Sequence, residues 1–220
     1  MTEETIEVFQ NLHIKSLASV SSVRTSILAQ VQEPWHHDLE WEEDIRASAV
    51  GEEDVIVLVR DSFDDVDESG LVLLQEGTGY KVANIVPRNV GKLGITKYNA
   101  ILRDFVTRIA GPALAVGDFE LDLSSPHQSL GDWLDADSAA ALKRFSRSAN
   151  KSTGTAHPMD RDRWYHFLIA THNASKRLGT DQLVRWLVEV ENWPEGHAHT
   201  LATEYEFALG LLEQYDNSRS

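Results

Sequence analysis

The residues best able to do chemistry lie in one basic segment, residues 143–164, of an otherwise acidic chain. Six lysine and arginine residues fall in this segment, although the net charge of the whole chain is −15. Lys143, Arg147 and Lys151 follow one another at four-residue spacing, which places them on one side of a helix. With the neighbouring cations and loop hydroxyls, the predicted anion-binding residues are Lys143, Arg144, Arg147, Lys151, Ser152, Thr153, Arg161 and Arg163.

Clustered cations, hydroxyl groups and a free helix N-terminus are the components of phosphate and sulfate sites. The segment therefore predicts binding of a small or phosphorylated anion. The competing interpretation is a solvated basic helix face, with the arginines paired to neighbouring acids. The sequence leaves both open.

The same segment contains His157 and Asp160, three residues apart. A histidine beside a carboxylate can act as a general acid or base, but a role in ordering the loop is the alternative. No nucleophile elbow or HExxH motif accompanies the pair. We therefore predict no catalytic residues, and the sequence favours a non-enzymatic protein over an enzyme.

Metal ligands are poorly placed in this sequence. The chain has no cysteine, which excludes disulfides, thiolate catalysis and sulfur-ligated metals. His197 and His199 stand two residues apart on a predicted helix, so their side chains diverge by about 200°. No metal and no cofactor are predicted.

The second segment with chemical potential is acidic and includes two tryptophans. Carboxylates beside exposed aromatic rings are typical of a docking face for a basic protein, because the rings anchor the partner and the charges steer it. A solvated acidic surface is again the alternative. The predicted partner-binding residues are Trp35, Asp38, Glu40, Trp41, Glu42, Glu43 and Asp44.

The charge distribution supports a basic partner. Residues 1–80 contain 18 acids and only four bases. Such acidity argues against general nucleic-acid binding, which depends on a positive surface. No run of apolar residues is long enough for a membrane span, and the acidic start does not resemble a signal peptide, so we expect a cytoplasmic protein.

The first half of the chain reads as strands and helices in alternation. Residues 54–60 are nearly all aliphatic and predict a central strand. Residues 71–74 and 80–87 predict a hairpin around two glycines, both expected to supply positive φ. Residues 97–110 carry apolar side chains at helical spacing, with Thr96 as the expected N-cap and Gly111-Pro112 as the expected stop. Residues 119–123 alternate as a half-buried strand does.

The second half predicts four helices with short connections, which is the pattern of an antiparallel bundle. Asp135 or Asp137 is expected to cap the first helix and Asp160 the second. Thr180 opens the third, and Pro194 stands at the start of the fourth, where its missing N–H costs nothing.

The predicted fold class is α+β. A mixed amino-terminal layer with a small, largely antiparallel sheet (residues 1–124) precedes a helical bundle of about four helices (residues 125–220). The sequence allows the two parts to be separate domains or to pack as one unit. The predicted function is a non-enzymatic acidic interaction protein, of the immunity or antitoxin kind, that masks a basic protein partner. The alternative is an enzyme or binding protein for a phosphorylated or nucleic-acid-like anion at residues 143–163.

Overall fold

A computed structural model describes residues 4–16, 19–48, 54–62, 66–89, 91 and 93–219. Helices account for 52% and strands for 20% of the chain, which confirms the α+β class. The chain divides into two compact units, Glu7–Pro126 and Met1–Ile6 with His127–Ser220. The assignment of residues 1–124 and 125–220 to separate domains stays a prediction.

The first unit is built on a six-stranded antiparallel sheet with the order β3-β4-β5-β6-β2-β7. Its strands are β2 (Leu12–Ser16), β3 (Trp35–His37), β4 (Val55–Arg60), β5 (Ser69–Glu76), β6 (Gly79–Pro87) and β7 (Phe119–Leu123). Two further short strands, β1 (Ile6–Glu7) and β8 (His127–Gln128), form a separate two-stranded sheet outside this one. The hairpin, the strand at 54–60 and the strand at 119–123 are thus confirmed.

Both faces of the sheet are covered by helices, which explains why every residue of β4 is buried. Ile56 and Leu58 of β4 face the larger core, and Val55 and Val57 face a smaller one. Because strand side chains alternate between faces, a strand covered on both sides needs an unbroken apolar run. The helices are α1 (Val20–Leu28), α2 (Leu39–Ser48), α3 (Ile95–Phe105) and α4 (Gly111–Val116), with α2 on the smaller core.

The predicted end of the long helix at Gly111-Pro112 is wrong. Helix α3 continues through a π-helical turn, Val106–Ala110, into α4, and the N–H of Gly111 donates to the carbonyl of Val106. A proline lacks the N–H that a regular turn would use, so a wider turn accommodates it without a break. Thr96 is not the N-cap either, since Gly94 occupies that position. The Thr96 hydroxyl instead donates to Glu7 at 2.8 Å.

The two glycines of the hairpin serve different purposes, which corrects the expectation that both supply positive φ. Gly77 has a φ of 59°, whereas Gly79 does not lie in the left-handed region. Gly79 is needed because a Cβ there would overlap the carbonyl oxygen of Ile14 on the adjacent strand β2. The first glycine is a conformational requirement and the second a steric one.

Replacing each glycine by another residue tests the conformational role of Gly77 and the steric role of Gly79 separately. Gly79→Ala is expected to lower the free energy of unfolding by about 2–3 kcal/mol, because β2 must move away from β6. Gly77→Asn is expected to change it by less than about 1 kcal/mol, since asparagine tolerates the left-handed region and open space surrounds Gly77. Urea unfolding of both variants measures the difference, and equal losses would contradict the steric role of Gly79.

The second unit is helical, as predicted for the carboxy-terminal half. Its helices are α5 (Leu130–Trp133), α6 (Ala136–Ser148), α7 (Pro158–His172), α8 (Thr180–Arg185), extended by a π-helical segment Trp186–Val190, and α9 (Glu195–Asn217). Asp135 caps α6 by accepting a bond from the Ser138 N–H at 2.9 Å, as expected. Pro194 lies at the N-cap position of α9.

The predicted cap of α7 is wrong, because His157 and not Asp160 occupies that position. The Nδ1 atom of His157 accepts from the N–H of Met159 at 3.3 Å. The interior of this unit is aromatic: Phe145 stacks against Trp193, and Phe167 stacks against Tyr205, with ring centroids 5.3 and 5.7 Å apart. No helix of the described residues is long and apolar enough to cross a membrane.

Candidate functional site

The acidic segment forms the start of helix α2. Asp38 caps the helix, since one carboxylate oxygen accepts from the Trp41 N–H at 3.0 Å. Glu40, Glu43 and Asp44 are exposed, and none of them pairs with a cation among the described residues. Three carboxylates therefore remain available to solvent or to a partner on this helix.

A cleft of about 310 Å³ lies beside these carboxylates. It is lined by Asp38, Glu40, Trp41, Asp44 and Arg88. The Arg88 guanidinium lies over the Trp41 ring, 5.5 Å from its centroid. The position is favourable for a cation because the face of the indole carries negative charge.

Two carboxylates complete the surroundings of Arg88. Its guanidinium is 3.3 Å from Asp38 and 3.4 Å from Glu68. Trp41 itself is held close to the sheet, because its ring occupies the place that a Cβ on Gly70 would take. The cleft is thus a rigid indole face with a surplus of negative charge.

Trp35 does not belong to this surface, which corrects its assignment to partner binding. The side chain is only 2% exposed and packs in the larger core. Its indole N–H donates to Asp104 at 2.8 Å. Asp104 also accepts from the nearly buried Arg60 at 2.9 Å, so Trp35 and Arg60 share one carboxylate.

Glu42 was also predicted to bind a partner, but its side chain is fully buried. One of its oxygens accepts from Arg24 and Arg46, each at 2.6 Å. The other accepts from His37 at 2.6 Å and from the backbone N–H of Val57 at 3.3 Å. A carboxylate has about four acceptor sites, so Glu42 has no capacity left for a partner.

The cluster around Glu42 completes the edge of strand β4. Strand β3 pairs with β4 only from Leu58 to Arg60, so no strand in the described part of the chain pairs with the backbone near Val55 on that side. The carbonyl of Val55 accepts instead from Arg24 at 2.7 Å and from Arg46 at 3.2 Å. Side chains of two helices therefore take the place of a strand and protect the edge from pairing with another chain.

Asp54 and Tyr80 extend the same network. Asp54 pairs with Arg24 and Arg46 at 3.2 and 2.9 Å and accepts a bond from the Tyr80 hydroxyl. Burial and the bond to Asp54 raise the pKa of Tyr80 above its usual range. A tyrosine with a raised pKa keeps its proton, donates a hydrogen bond through it and does not act as a general base.

The pKa values of the Glu42 and Asp54 carboxyls show that the network holds both groups ionised. Burial alone would raise the pKa of Glu42, but the bonds from His37 and Arg24 outweigh it and the pKa is lowered. For Asp54, burial is likewise outweighed by the Tyr80 bond and the Arg24 charge, so its pKa is lowered too. The network is therefore a structural ion cluster in which both carboxyls are held ionised.

Three cations of the basic segment are bonded within the chain. The ammonium group of Lys151 donates to the carbonyl of Glu191, and Arg163 pairs with the buried Asp160 at 2.7 Å. Arg161 donates to the Thr155 carbonyl at 3.4 Å.

The three cations on α6 differ in their surroundings. Arg147 lies 3.6 Å from Glu4, whereas Lys143 and Arg144 form no ion pair among the described residues. Ser152 is exposed and donates to Asn150 at 2.7 Å.

One cavity of about 530 Å³ does bring some predicted residues together. Thr153, His157, Asp160 and Arg163 line it, with Ser148, Asn150, Ala156 and Met159. Arg163 is the single cation in this lining, and Asp160 neutralises it. Anion binding and a role for His157 or Asp160 in catalysis stay predictions. Among the described residues, no group of three or more histidines and carboxylates could hold a metal ion.

Sequence reasoning missed the groups that define the ionic network and the cleft: Arg24, Arg46, Asp54, Tyr80 and Arg88. For Glu42 a signal was present, because it lies one residue from Trp41 and three from Ile45, the residues that cover the smaller core. A charged residue on the apolar face of a helix indicates a buried ion pair. Its partners carried no comparable signal, since they are distant in sequence.

The fold and these sites define an α+β protein with an internal ion cluster and an acidic, indole-lined surface cleft. A family model described as Domain of unknown function (DUF1889) matches residues 136–206, about a third of the chain. The match begins at the start of α6 and ends within α9, and its description names no activity. Neither a curated protein nor a solved structure matches the chain.

Proposed function

We propose that the protein is a non-enzymatic interaction protein that binds a basic protein through the exposed start of helix α2. The observation that carries the proposal is the cleft beside Trp41, where carboxylates outnumber the single cation Arg88. The buried Trp35 and Glu42 are excluded from the surface. The proposed contact residues are Asp38, Glu40, Trp41, Glu43 and Asp44.

Arg88 indicates the chemistry that this cleft recognises. A guanidinium already lies on the indole ring between two carboxylates, which is the arrangement that arginine prefers in interfaces. Glu40 and Asp44 border the same cleft without a cation of their own. An arginine of a partner could pair with these two carboxylates at the side of the cleft next to Arg88.

An inhibitor of the immunity or antitoxin kind is the class of protein that such a surface fits. These proteins neutralise basic partners, and complementary charge accelerates their association. The internal ion cluster supports this use, because it fixes α2 against β4 and presents the exposed carboxylates on a rigid helix. Anion binding at residues 143–163 has less support, because Lys151, Arg161 and Arg163 are bonded within the chain.

A nine-arginine peptide provides a defined probe of this surface. Reversing Glu40, Glu43 and Asp44 to lysine is expected to weaken binding of the peptide by about ten- to a hundredfold, since three attractive contacts become repulsive. Isothermal titration calorimetry at low salt measures the change. Added salt should weaken binding to the wild type as well.

A matched variant controls for net charge. Reversing Asp137, Asp162 and Glu206, three exposed acids of the helical unit, gives the same change in net charge, from −15 to −9. This variant should bind the peptide within about threefold of the wild type. If the two variants lose affinity equally, the peptide responds only to overall charge, and the α2 surface is not a docking site.

Arginine recognition by the indole can be tested separately. Trp41→Leu should remove the preference for a nine-arginine over a nine-lysine peptide, because guanidinium groups stack on aromatic faces more readily than ammonium groups. A preference that survives this change would exclude the indole from recognition.

A further inference from the structure

Helix α9 exposes an apolar stripe on the side away from its own core. Phe207, Leu211 and Tyr215 are 72%, 58% and 53% exposed. They follow one another at four-residue spacing and so lie on one face. The buried face of the helix is formed by Ala198, Leu201, Ala202, Tyr205 and Leu209. Three large apolar side chains that are exposed to solvent on one helix face indicate an interaction surface.

The charged residues near this stripe are few and stand at its two ends. At 100° per residue, Glu204 falls within the stripe at its amino-terminal end. At the other end, the Arg219 guanidinium lies 5.3 Å from the centroid of the Tyr215 ring and donates to the Tyr215 hydroxyl at 2.6 Å. Neither Glu204 nor Arg219 has an oppositely charged partner in the part of the chain that the structure describes.

The remaining acids of the carboxy-terminal half of the helix point away from the stripe. Glu213 pairs with Arg177, and Asp216 lies 2.7 Å from His172. Glu206 is about 140° from the centre of the stripe on a helical wheel. A basic helix would therefore meet only one free carboxylate, Glu204, on this face. The charges do not favour such a partner.

We propose that α9 pairs with α9 of a second copy of this chain, in antiparallel orientation, around a two-fold axis at Leu211. The apolar sequence of the stripe is symmetric about this residue, with an aromatic residue four positions to either side. In the pair, Leu211 meets its equivalent and Phe207 meets Tyr215 of the second copy. A two-fold interface requires this self-complementarity.

The charges match the same arrangement. Glu204 lies seven residues before Leu211, about 10 Å along the helix axis at 1.5 Å per residue. Arg219 follows the end of α9 at Asn217, and its guanidinium lies beside the Tyr215 ring, on the other side of Leu211. Antiparallel pairing therefore brings Glu204 of each copy to the level of Arg219 of the other, twice in the interface. A parallel pair would place like charges side by side, so the charges select the antiparallel orientation.

The area of the stripe sets the strength of the pair. Aromatic side chains bury about 150–250 Å² each, so at their exposed fractions Phe207 and Tyr215 offer roughly 200–300 Å² per copy. With Leu211 included, the stripes of the two copies together offer less than about 1,000 Å², which is the size of weak, transient interfaces. The dimer is accordingly weak and dependent on concentration.

Sedimentation equilibrium of the 220-residue chain at physiological salt, from about 5 µM to 1 mM, tests the proposal. The wild type is expected to show a monomer–dimer equilibrium within this range. Leu211→Glu should weaken the dimer by at least tenfold, because it places two carboxylates on the two-fold axis. Ile169→Glu, at a residue 52% exposed on helix α7, is the matched control and should leave the dimer unchanged.

A charge exchange tests the orientation. Glu204→Arg and Arg219→Glu should each weaken the dimer by about three- to tenfold, and the double variant should restore it, since the two contacts are merely reversed. A monomer throughout the concentration range would overturn the proposal, as would a dimer broken by Ile169→Glu but not by Leu211→Glu. A double variant no better than the single ones would overturn the antiparallel register. These outcomes are independent of the α2 surface, so the two proposals stand or fall separately.

Discussion

Replacing Glu42 with alanine is expected to lower the free energy of unfolding by about 3–5 kcal/mol, the cost of breaking a buried ion pair by removal of one partner. Arg24 and Arg46 would lose their shared carboxylate, and the N–H of Val57 would lose its acceptor. Urea unfolding followed by tryptophan fluorescence and circular dichroism measures the change in midpoint.

Glu43→Ala is the control for this prediction, because Glu43 stands next in the sequence and is exposed. Surface substitutions of this kind change stability by about 0.5 kcal/mol or less. If both variants unfold at the same urea concentration, Glu42 does not hold α2 against the edge of β4, and the ion cluster does not stabilise that edge.

The same network predicts how stability depends on pH. Because the pKa of Glu42 is lowered in the folded state, the unfolded chain binds a proton first as the pH falls. The stability that Glu42 contributes is complete above its unfolded pKa of about 4.3 and disappears as the pH falls through the folded value. Glu42→Gln should therefore lose less stability than the wild type between about pH 5 and pH 3, and parallel curves would contradict this.

Replacing Asp104 with alanine is the second change expected to cost about 3–5 kcal/mol. Asp104 accepts from Arg60, Trp35 and Arg108 at 2.9, 2.8 and 2.8 Å. Burial alone would raise its pKa, but the bonds from Arg60 and Arg108 outweigh it and the pKa is lowered. Arg60 is only 3% exposed, so the variant would remove the Asp104 carboxylate from a guanidinium that lies inside the protein.

A double variant identifies the source of that cost. Asp104→Leu with Arg60→Met should recover most of the stability lost in Asp104→Ala, since replacing both members of a buried pair by apolar residues is often neutral. Asp118→Ala, at an exposed carboxylate of the same unit, should change the free energy of unfolding by about 0.5 kcal/mol or less. A double variant as unstable as Asp104→Ala would assign the loss to packing instead of charge.

Local pattern was sufficient for most of the elements. The unbroken aliphatic run of β4, the glycine turn of the hairpin and the cap at Asp135 each act within a few residues. The strand and the hairpin were predicted correctly, and Asp135 is one of the two residues that were predicted to cap α6. The π-helical turn before Pro112 was not predicted, because its formation depends on α3 and α4 packing as one helix on the sheet. A proline in isolation predicts a stop.

Some features of the candidate site likewise follow from the sequence, and others depend on the fold. The sequence by itself determined the acidic charge of α2 and the absence of cysteine chemistry. Only the tertiary structure decided that Glu42 is buried while Glu43 is exposed, and that Arg88 lies on Trp41. It also decided that Lys151 and Arg163 are bonded within the chain. Helical caps and periodicity join residues close in sequence, whereas Arg24, Glu42 and Asp54 meet across long segments, and only the folded chain determines which charges neutralise one another.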